Sequence, residues 1–99
     1  MSDLIDKKLE EDMHSGKGVK ADAGKPDYSL LELKNLEGMV KVLTFGAEKY
    51  SRDNWKKVPD GKNRYFAALQ RHLAAWQNGE KEDPESGMSH LDHALCNLY

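Results

Sequence analysis

The sequence has few of the features that mark secreted or membrane proteins. Cys96 is the single cysteine among the 99 residues, which excludes an intrachain disulfide framework and is compatible with a reducing compartment. No run approaches the roughly 20 apolar residues that a membrane span needs. Residues 1–20 are too charged to contain the apolar region of a signal peptide. We therefore expect a cytoplasmic protein without a membrane partner.

The sequence also lacks an excess of basic charge. Lys and Arg total 15 against 17 for Asp and Glu, so the formal net charge is −2. Duplex nucleic acid selects strongly basic surfaces, and we therefore expect no DNA partner. The apolar fraction of 38% is enough for one modest core. Because so short a chain buries a small share of its surface, we expect it to be completed by assembly into a homo-oligomer.

Apolar residues recur at three- and four-residue steps, which predicts a small all-α domain. Ser29 and Glu32 have the spacing of a capping box at the start of the first helix. Asn63 can cap the second helix, Gly79 can end it, and Ser89 begins the third. The three predicted helices cover residues 29–50, 63–78 and 89–99.

Two segments are predicted along the chain. Residues 1–17 form an N-terminal extension that could contain a short amphipathic helix, because Leu4, Ile5 and Leu9 are spaced among charged residues. Residues 18–99 form the helical domain.

Histidines on the second and third helices are candidate site residues. His90 and His93 lie one turn apart and, with Asn97, form a polar stripe that can face a ligand. His72 has a spacing that directs it towards the core or a buried cleft. The alternative is structural, since exposed polar residues and hydrogen-bonded core histidines produce the same pattern more often than ligand sites do.

Acidic residues precede this stripe on a loop stiffened by Pro84. Asp83 and Glu85 supply carboxylate oxygens of the kind that Mg²⁺ or Mn²⁺ prefers. Such an ion bridges phosphate oxygens and activates water, which allows a phosphoanhydride to be cleaved without a covalent nucleophile. The alternative is an ordinary solvated acidic loop.

Basic and aromatic residues could complete a nucleotide site, although each one alone is more often a surface residue. Arginine pairs with phosphate through two parallel hydrogen bonds, and lysine binds it as a point charge. Trp55 lies in a polar loop and offers a flat face to a base. The candidates for phosphate are Lys25, Lys49, Arg52, Arg64 and Arg71.

The order of the motifs resembles the N-terminal domain of phage and bacterial dATP/dGTP diphosphohydrolases. The segments that carry this resemblance are DAGKPDYSLL at 22–31, VLTFGAEKY at 42–50, NW at 54–55, RY at 64–65, RHL at 71–73, DPESG at 83–87 and HLDHA at 90–94. That family is similar to the all-α, MazG-like nucleoside triphosphate pyrophosphohydrolases. The resemblance implies an oligomer that binds Mg²⁺ or Mn²⁺ and releases a nucleoside monophosphate and pyrophosphate.

The resemblance also implies roles for particular residues. It places Glu48, Asp83, Glu85 and His90 at the metal, and Asp83, Glu85, His90 and His93 in catalysis. It assigns phosphate binding to Lys25, Lys49, Asn54, Arg64 and Arg71 and places Trp55 near the base. We also count His72, from its position on the second helix, among the substrate-binding candidates.

Two functions stay open from the sequence. The first is a metal-dependent pyrophosphohydrolase for purine (deoxy)nucleoside triphosphates, which the DPESG segment at 83–87 favours. The second is a phage protein of the host cytoplasm that sequesters a nucleotide signal of host defence without cleaving it. His90 and His93 stand where MazG-like enzymes carry acids, and this shortage of acidic ligands favours the second.

Overall fold

A computed structural model of the protein describes residues 16–99, which fall into two compact units divided after Leu31. The short helix predicted within 1–17 therefore falls almost entirely outside the described residues. In the first unit, the Lys25 amide donates to the Asp22 carbonyl at 3.2 Å. A 3₁₀ helix, Tyr28–Leu30, follows this turn.

The second unit contains three α-helices, which confirms the predicted all-α class. They are α1, Glu37–Lys49; α2, Gly61–Gln77; and α3, His90–Leu98. Short 3₁₀ helices precede α1 and α2 at Leu33–Leu36 and Asn54–Lys57. Between residues 16 and 99 the β-structure is limited to one isolated antiparallel bridge, Glu82 to Ser89. None of the helices in this range has the length and apolar content needed to cross a bilayer.

The first helix begins at Glu37, eight residues later than the predicted start at Ser29, so that prediction was wrong. The Asp27 carboxylate accepts the Ser29 amide at 3.0 Å and forms a tight local turn. Leu31 and Glu32 are then extended, with ψ of 122° and 112°. Asp27 thus caps the 3₁₀ helix Tyr28–Leu30 and occupies the Ser29 amide, which a capping box at Ser29 would need.

The two ends of α2 differ. The helix begins at Gly61, two residues before the predicted start, so Asn63 lies inside it and the prediction that Asn63 caps it was wrong. Asp60, which precedes the helix, has a left-handed conformation with φ of 53° and makes no capping bond with its side chain. At the other end, Gly79 has φ of 95°. Its amide donates to the Trp76 carbonyl, and the Glu80 amide donates to that of Ala75, both at 3.0 Å. This pair of bonds is a Schellman motif, which confirms Gly79 as the helix stop.

The third helix begins at its predicted cap, where the Ser89 hydroxyl accepts the Leu91 amide at 3.1 Å, and it packs against both α1 and α2. Its Ala94 is buried together with Met39 and Val42 of α1. Where α1 meets α3, Gly38 lies directly against the Asp92 side chain. The core is thin, and no side chain of the described residues is completely enclosed. α3 is thus held in place by its two neighbours.

Candidate functional site

The loop between α2 and α3 closes on itself and brings its polar side chains to the start of α3. The Asp83 amide donates to the Met88 carbonyl at 2.8 Å, and the Gly87 amide donates back to the Asp83 carbonyl at 2.7 Å. Gly87 has φ of 71°, a conformation that favours glycine. The His90 amide donates to the Lys81 carbonyl at 2.9 Å. The DPESG segment therefore forms the tip of a narrow hairpin.

This hairpin fixes the orientation of the Asp83 carboxylate. Oδ1 accepts the amides of Glu85 and Ser86 at 2.8 and 3.2 Å. Oδ2 lies 3.9 Å from Nδ1 of His72 on α2. Burial disfavours the charged carboxylate, but the two amide hydrogen bonds and the nearby histidines outweigh it and lower the pKa of Asp83. Asp83 is therefore an ionised, oriented carboxylate that presents one oxygen to α2.

Two histidine rings from α2 and α3 meet beside this carboxylate. Nδ1 of His72 lies 2.8 Å from Nδ1 of His90. The other ring nitrogen of His90, Nε2, contacts Oε1 of Glu80 at 2.7 Å. His90 is 4% exposed, so its ring is almost fully withdrawn from water. His72, Asp83 and His90 each offer one potential ligand atom, and these atoms all lie within 4.8 Å of one another. We call these three residues the His72–Asp83–His90 cluster.

His93 borders the cluster through a parallel ring contact. Its imidazole stacks on that of His72, with centroids 4.5 Å apart and planes inclined by 9°. Nε2 of His93 contacts the Ser86 hydroxyl at 2.7 Å, and the Met88 amide donates to the same hydroxyl at 3.1 Å. Burial is the main cause that lowers the pKa of both His72 and His93. Both rings are therefore neutral at neutral pH and can act as ligands or proton acceptors.

Glu85 pairs with Lys49 at the end of α1. The Lys49 ammonium and the Glu85 carboxylate form a close ion pair, and both side chains are largely exposed. The hydrogen bond to Glu85 is the main cause that raises the pKa of Lys49. The structure thus joins a residue predicted for the metal to one predicted for phosphate.

Two further predicted residues, Glu48 and Arg71, are exposed. Glu48 is exposed and lines an open depression along α1 with Lys41, Phe45 and Met88. Arg71 is exposed on α2.

Arg64 donates to the Pro59 carbonyl at 3.3 Å, beside the start of α2. Asn54 is half-buried in the 3₁₀ helix before α2. Its neighbour Trp55 is 42% exposed, and its ring lies tilted 6.3 Å from that of Tyr99. Lys25 belongs to the first unit and has an exposed side chain.

Two residues of the site were missed by the sequence interpretation. Glu80 follows the helix-ending Gly79 and gave no signal, because its contact with His90 arises only when the hairpin closes. Ser86 belongs to the DPESG segment, yet its bond to His93 was not anticipated. His72 was predicted to bind substrate, whereas the structure groups it with the candidate ligands Asp83 and His90.

Comparison with known proteins gives two matches. A family model described as "dATP/dGTP diphosphohydrolase, N-terminal" matches residues 15–99. A protein named dATP/dGTP diphosphohydrolase from Salmonella phage PMBT28 is 33% identical over 81 residues, which is 82% of this chain and 27% of that protein. The chain thus spans about a quarter of the length of this relative. No solved structure matches significantly.

Proposed function

This chain belongs to the dATP/dGTP diphosphohydrolase N-terminal family, and on that premise we propose that it binds a purine (deoxy)nucleoside triphosphate and cleaves it to monophosphate and pyrophosphate. The observation that carries the proposal is the His72–Asp83–His90 cluster, with the neutral His93 beside it. Phosphoanhydride hydrolysis requires positive charge against the phosphates and a group that takes a proton from water. The cluster and its surroundings offer candidates for both.

The reaction would use a divalent ion, which supplies charge neutralisation and a more acidic water when bound. The predicted ligands fit this role in part. Asp83 and His90 belong to the same cluster. Glu85 is paired with Lys49, and Glu48 lines the depression along α1. We therefore assign the ion to Asp83 and His90 rather than to all four predicted ligands.

Other residues would bind the substrate. The Lys49–Glu85 pair is exposed, so an incoming triphosphate can replace Glu85 as the partner of Lys49. Arg64 and Arg71 remain candidates for phosphate from the sequence. The exposed Trp55 face is the candidate for the base. His93 supplies an imidazole beside the cluster that can take up the proton of an attacking water.

The proposal includes self-association and action in the cytoplasm. Large apolar side chains are exposed on α2 and α3, among them Phe66, Leu73, Trp76 and Leu98. Contact between copies would cover such surface and add to a thin core. The proposed partner is a small nucleotide and not DNA, because the net charge is −2.

A second candidate function is nucleotide sequestration without cleavage. It is favoured by the acid content of the site, since Asp83 is the one carboxylate in the cluster. In this function the same residues would hold a nucleotide that is released intact.

Incubation of the pure protein with purine and pyrimidine triphosphates and Mg²⁺ or Mn²⁺ tests the proposal. We expect chromatography to show monophosphate and pyrophosphate in equal amounts with turnover. Asp83→Asn keeps the shape of the side chain and should lower turnover at least a hundredfold. Asp53→Asn is the control, because Asp53 pairs with Lys56 on the surface.

The outcomes separate the two functions. Depletion of a nucleotide that is recovered intact after denaturation would identify sequestration. Neither turnover nor depletion would contradict both, and wild-type turnover of Asp83→Asn would remove the cluster from the reaction.

A further inference from the structure

The geometry points to a site for a divalent transition-metal ion, such as Mn²⁺, Co²⁺ or Zn²⁺ in preference to Mg²⁺, held by His72, Asp83 and His90. Two imidazole nitrogens and one carboxylate oxygen make up the donor set. Imidazole suits first-row transition metals, whereas Mg²⁺ prefers oxygen ligands and keeps its water. The role of the ion in hydrolysis rests on the proposed function, but its binding does not.

The spacing of the two imidazole nitrogens matches a shared ion, and the carboxylate oxygen lies slightly farther away. Ligands at about 2.0 to 2.1 Å from one ion lie about 2.8 to 3.4 Å from each other at angles between 90° and tetrahedral. The two Nδ1 atoms of His72 and His90 are 2.8 Å apart. Oδ2 of Asp83 lies 3.9 Å from the His72 Nδ1, so this oxygen must move about 0.5 Å closer to share an ion with the two rings.

Contacts behind the ligands hold them in the orientation that metal binding needs. Ligating histidines commonly donate their second ring N–H to a carboxylate. His90 has the matching contacts, because Nε2 lies 2.7 Å from Oε1 of Glu80 and Nδ1 faces His72. Oδ1 of Asp83 accepts the amides of Glu85 and Ser86, which leaves Oδ2 for the ion. Two of the three ligands are therefore oriented before an ion arrives.

The burial of the cluster favours an ion over a chance grouping. His90 is 4% exposed, and the side chains of His72 and Asp83 are 18% and 20% exposed. The site also leaves coordination positions for water or phosphate oxygens, since three protein ligands with an open position are typical of catalytic metal sites.

Metal binding can be measured without nucleotide. We expect chelator-treated protein to bind one Zn²⁺ or Co²⁺ per chain by calorimetry and elemental analysis, with Mg²⁺ at least a hundredfold weaker. Bound Co²⁺ should give visible absorption bands, and Zn²⁺ should shift the NMR signals of the Nδ1 atoms of His72 and His90. These ring signals locate the ion at named atoms and do not depend on activity.

Matched variants test the assignment. Glu80→Gln removes the carboxylate behind His90 and should weaken Zn²⁺ binding by about tenfold to a hundredfold, as loss of such outer partners does. Glu82→Gln makes the same charge change two residues away on the exposed loop and should leave it unchanged. His72→Asn and Asp83→Asn should weaken it more strongly. Circular dichroism checks that each variant is folded.

The proposal is overturned if the folded protein binds no transition-metal ion at millimolar concentration, or if His72→Asn and Asp83→Asn bind Zn²⁺ as the wild type does. In that case the ring contact between His72 and His90 is an ordinary hydrogen bond. Bound metal without turnover would contradict the proposed hydrolysis and leave the metal site standing. Turnover with Mg²⁺ in a protein that binds no transition metal would support the proposed hydrolysis and contradict the transition-metal site.

Discussion

Gly38→Ala should destabilise the protein, although the same change inside a helix usually stabilises it. Alanine is favoured over glycine by about 0.5 to 1 kcal/mol in a helix interior. A Cβ at position 38, however, would overlap the carboxylate of Asp92. Asp92 lies in the first turn of α3, between His90 and His93. The contact therefore bears on how closely α1 supports the helix that carries the candidate site.

The magnitude follows from the two opposing effects. Overpacking at a close helix contact costs about 1 to 3 kcal/mol. Asp92 can relieve part of the overlap by rotating its short side chain, so the cost lies in the lower part of that range. Gly38 lies in the first turn of α1, so the helix gain there is at most about 1 kcal/mol. Subtracting it from a cost of about 1 to 2 kcal/mol leaves a net loss of up to about 2 kcal/mol in the free energy of unfolding.

Gly46→Ala is the matched control on the same helix, because a Cβ there meets no atom within 4 Å. It should raise the free energy of unfolding by about 0.5 to 1 kcal/mol. Urea unfolding followed by circular dichroism measures both changes from the midpoint and the slope. In an Asp92→Ala background, Gly38→Ala should become stabilising like Gly46→Ala. Equal stabilisation at positions 38 and 46 in the wild-type background would refute the close contact.

Two further predictions concern the end of α2 and the single thiol. Gly79→Ala should lower the free energy of unfolding by about 1 to 2 kcal/mol, because φ of 95° is unfavourable for a residue with a Cβ; no loss in urea unfolding would mean that the Schellman turn is not needed. Burial raises the pKa of Cys96, so less thiolate is present at a given pH and alkylation by iodoacetamide should be slow in the folded protein. Its rate should rise on unfolding in urea, and equal rates in both states would contradict the burial.

The ends of helices were predictable where the signal is local. Gly79 and Ser89 act through bonds to residues within five positions along the chain, so the sequence contains the whole cap. The start of α1 was not predictable in the same way. Ser29 has the spacing of a capping box, but the carboxylate of Asp27 binds its amide first. The capping box at Ser29 and the bond from the Asp27 carboxylate use the same amide, and residue spacing alone does not show which of them forms.

The sequence predicted several residues of the site, but it did not predict which of them contact each other. His90, His93 and Asp83 were candidates from motifs, because they lie close in sequence. The contact between His72 and His90 depends on how α2 and α3 pack, and it joins residues 18 positions apart. The pairing of Lys49 with Glu85 spans 36 positions. Contacts of this kind depend on how the helices pack against each other, and the spacing of residues within one helix does not predict that packing.

The hairpin between α2 and α3 keeps the residues of the His72–Asp83–His90 cluster and its neighbours close together in sequence. His72, Glu80, Asp83, Ser86, His90 and His93 all fall within residues 72–93, so one helix–hairpin–helix segment carries them. The connection between α1 and α2 at 50–60 contributes none of them. Insertions, deletions or a backbone cut there should leave the cluster on one piece of polypeptide. We therefore expect residues 72–93 to keep these side chains together when they are transferred to a protein that supplies a helix where α1 packs.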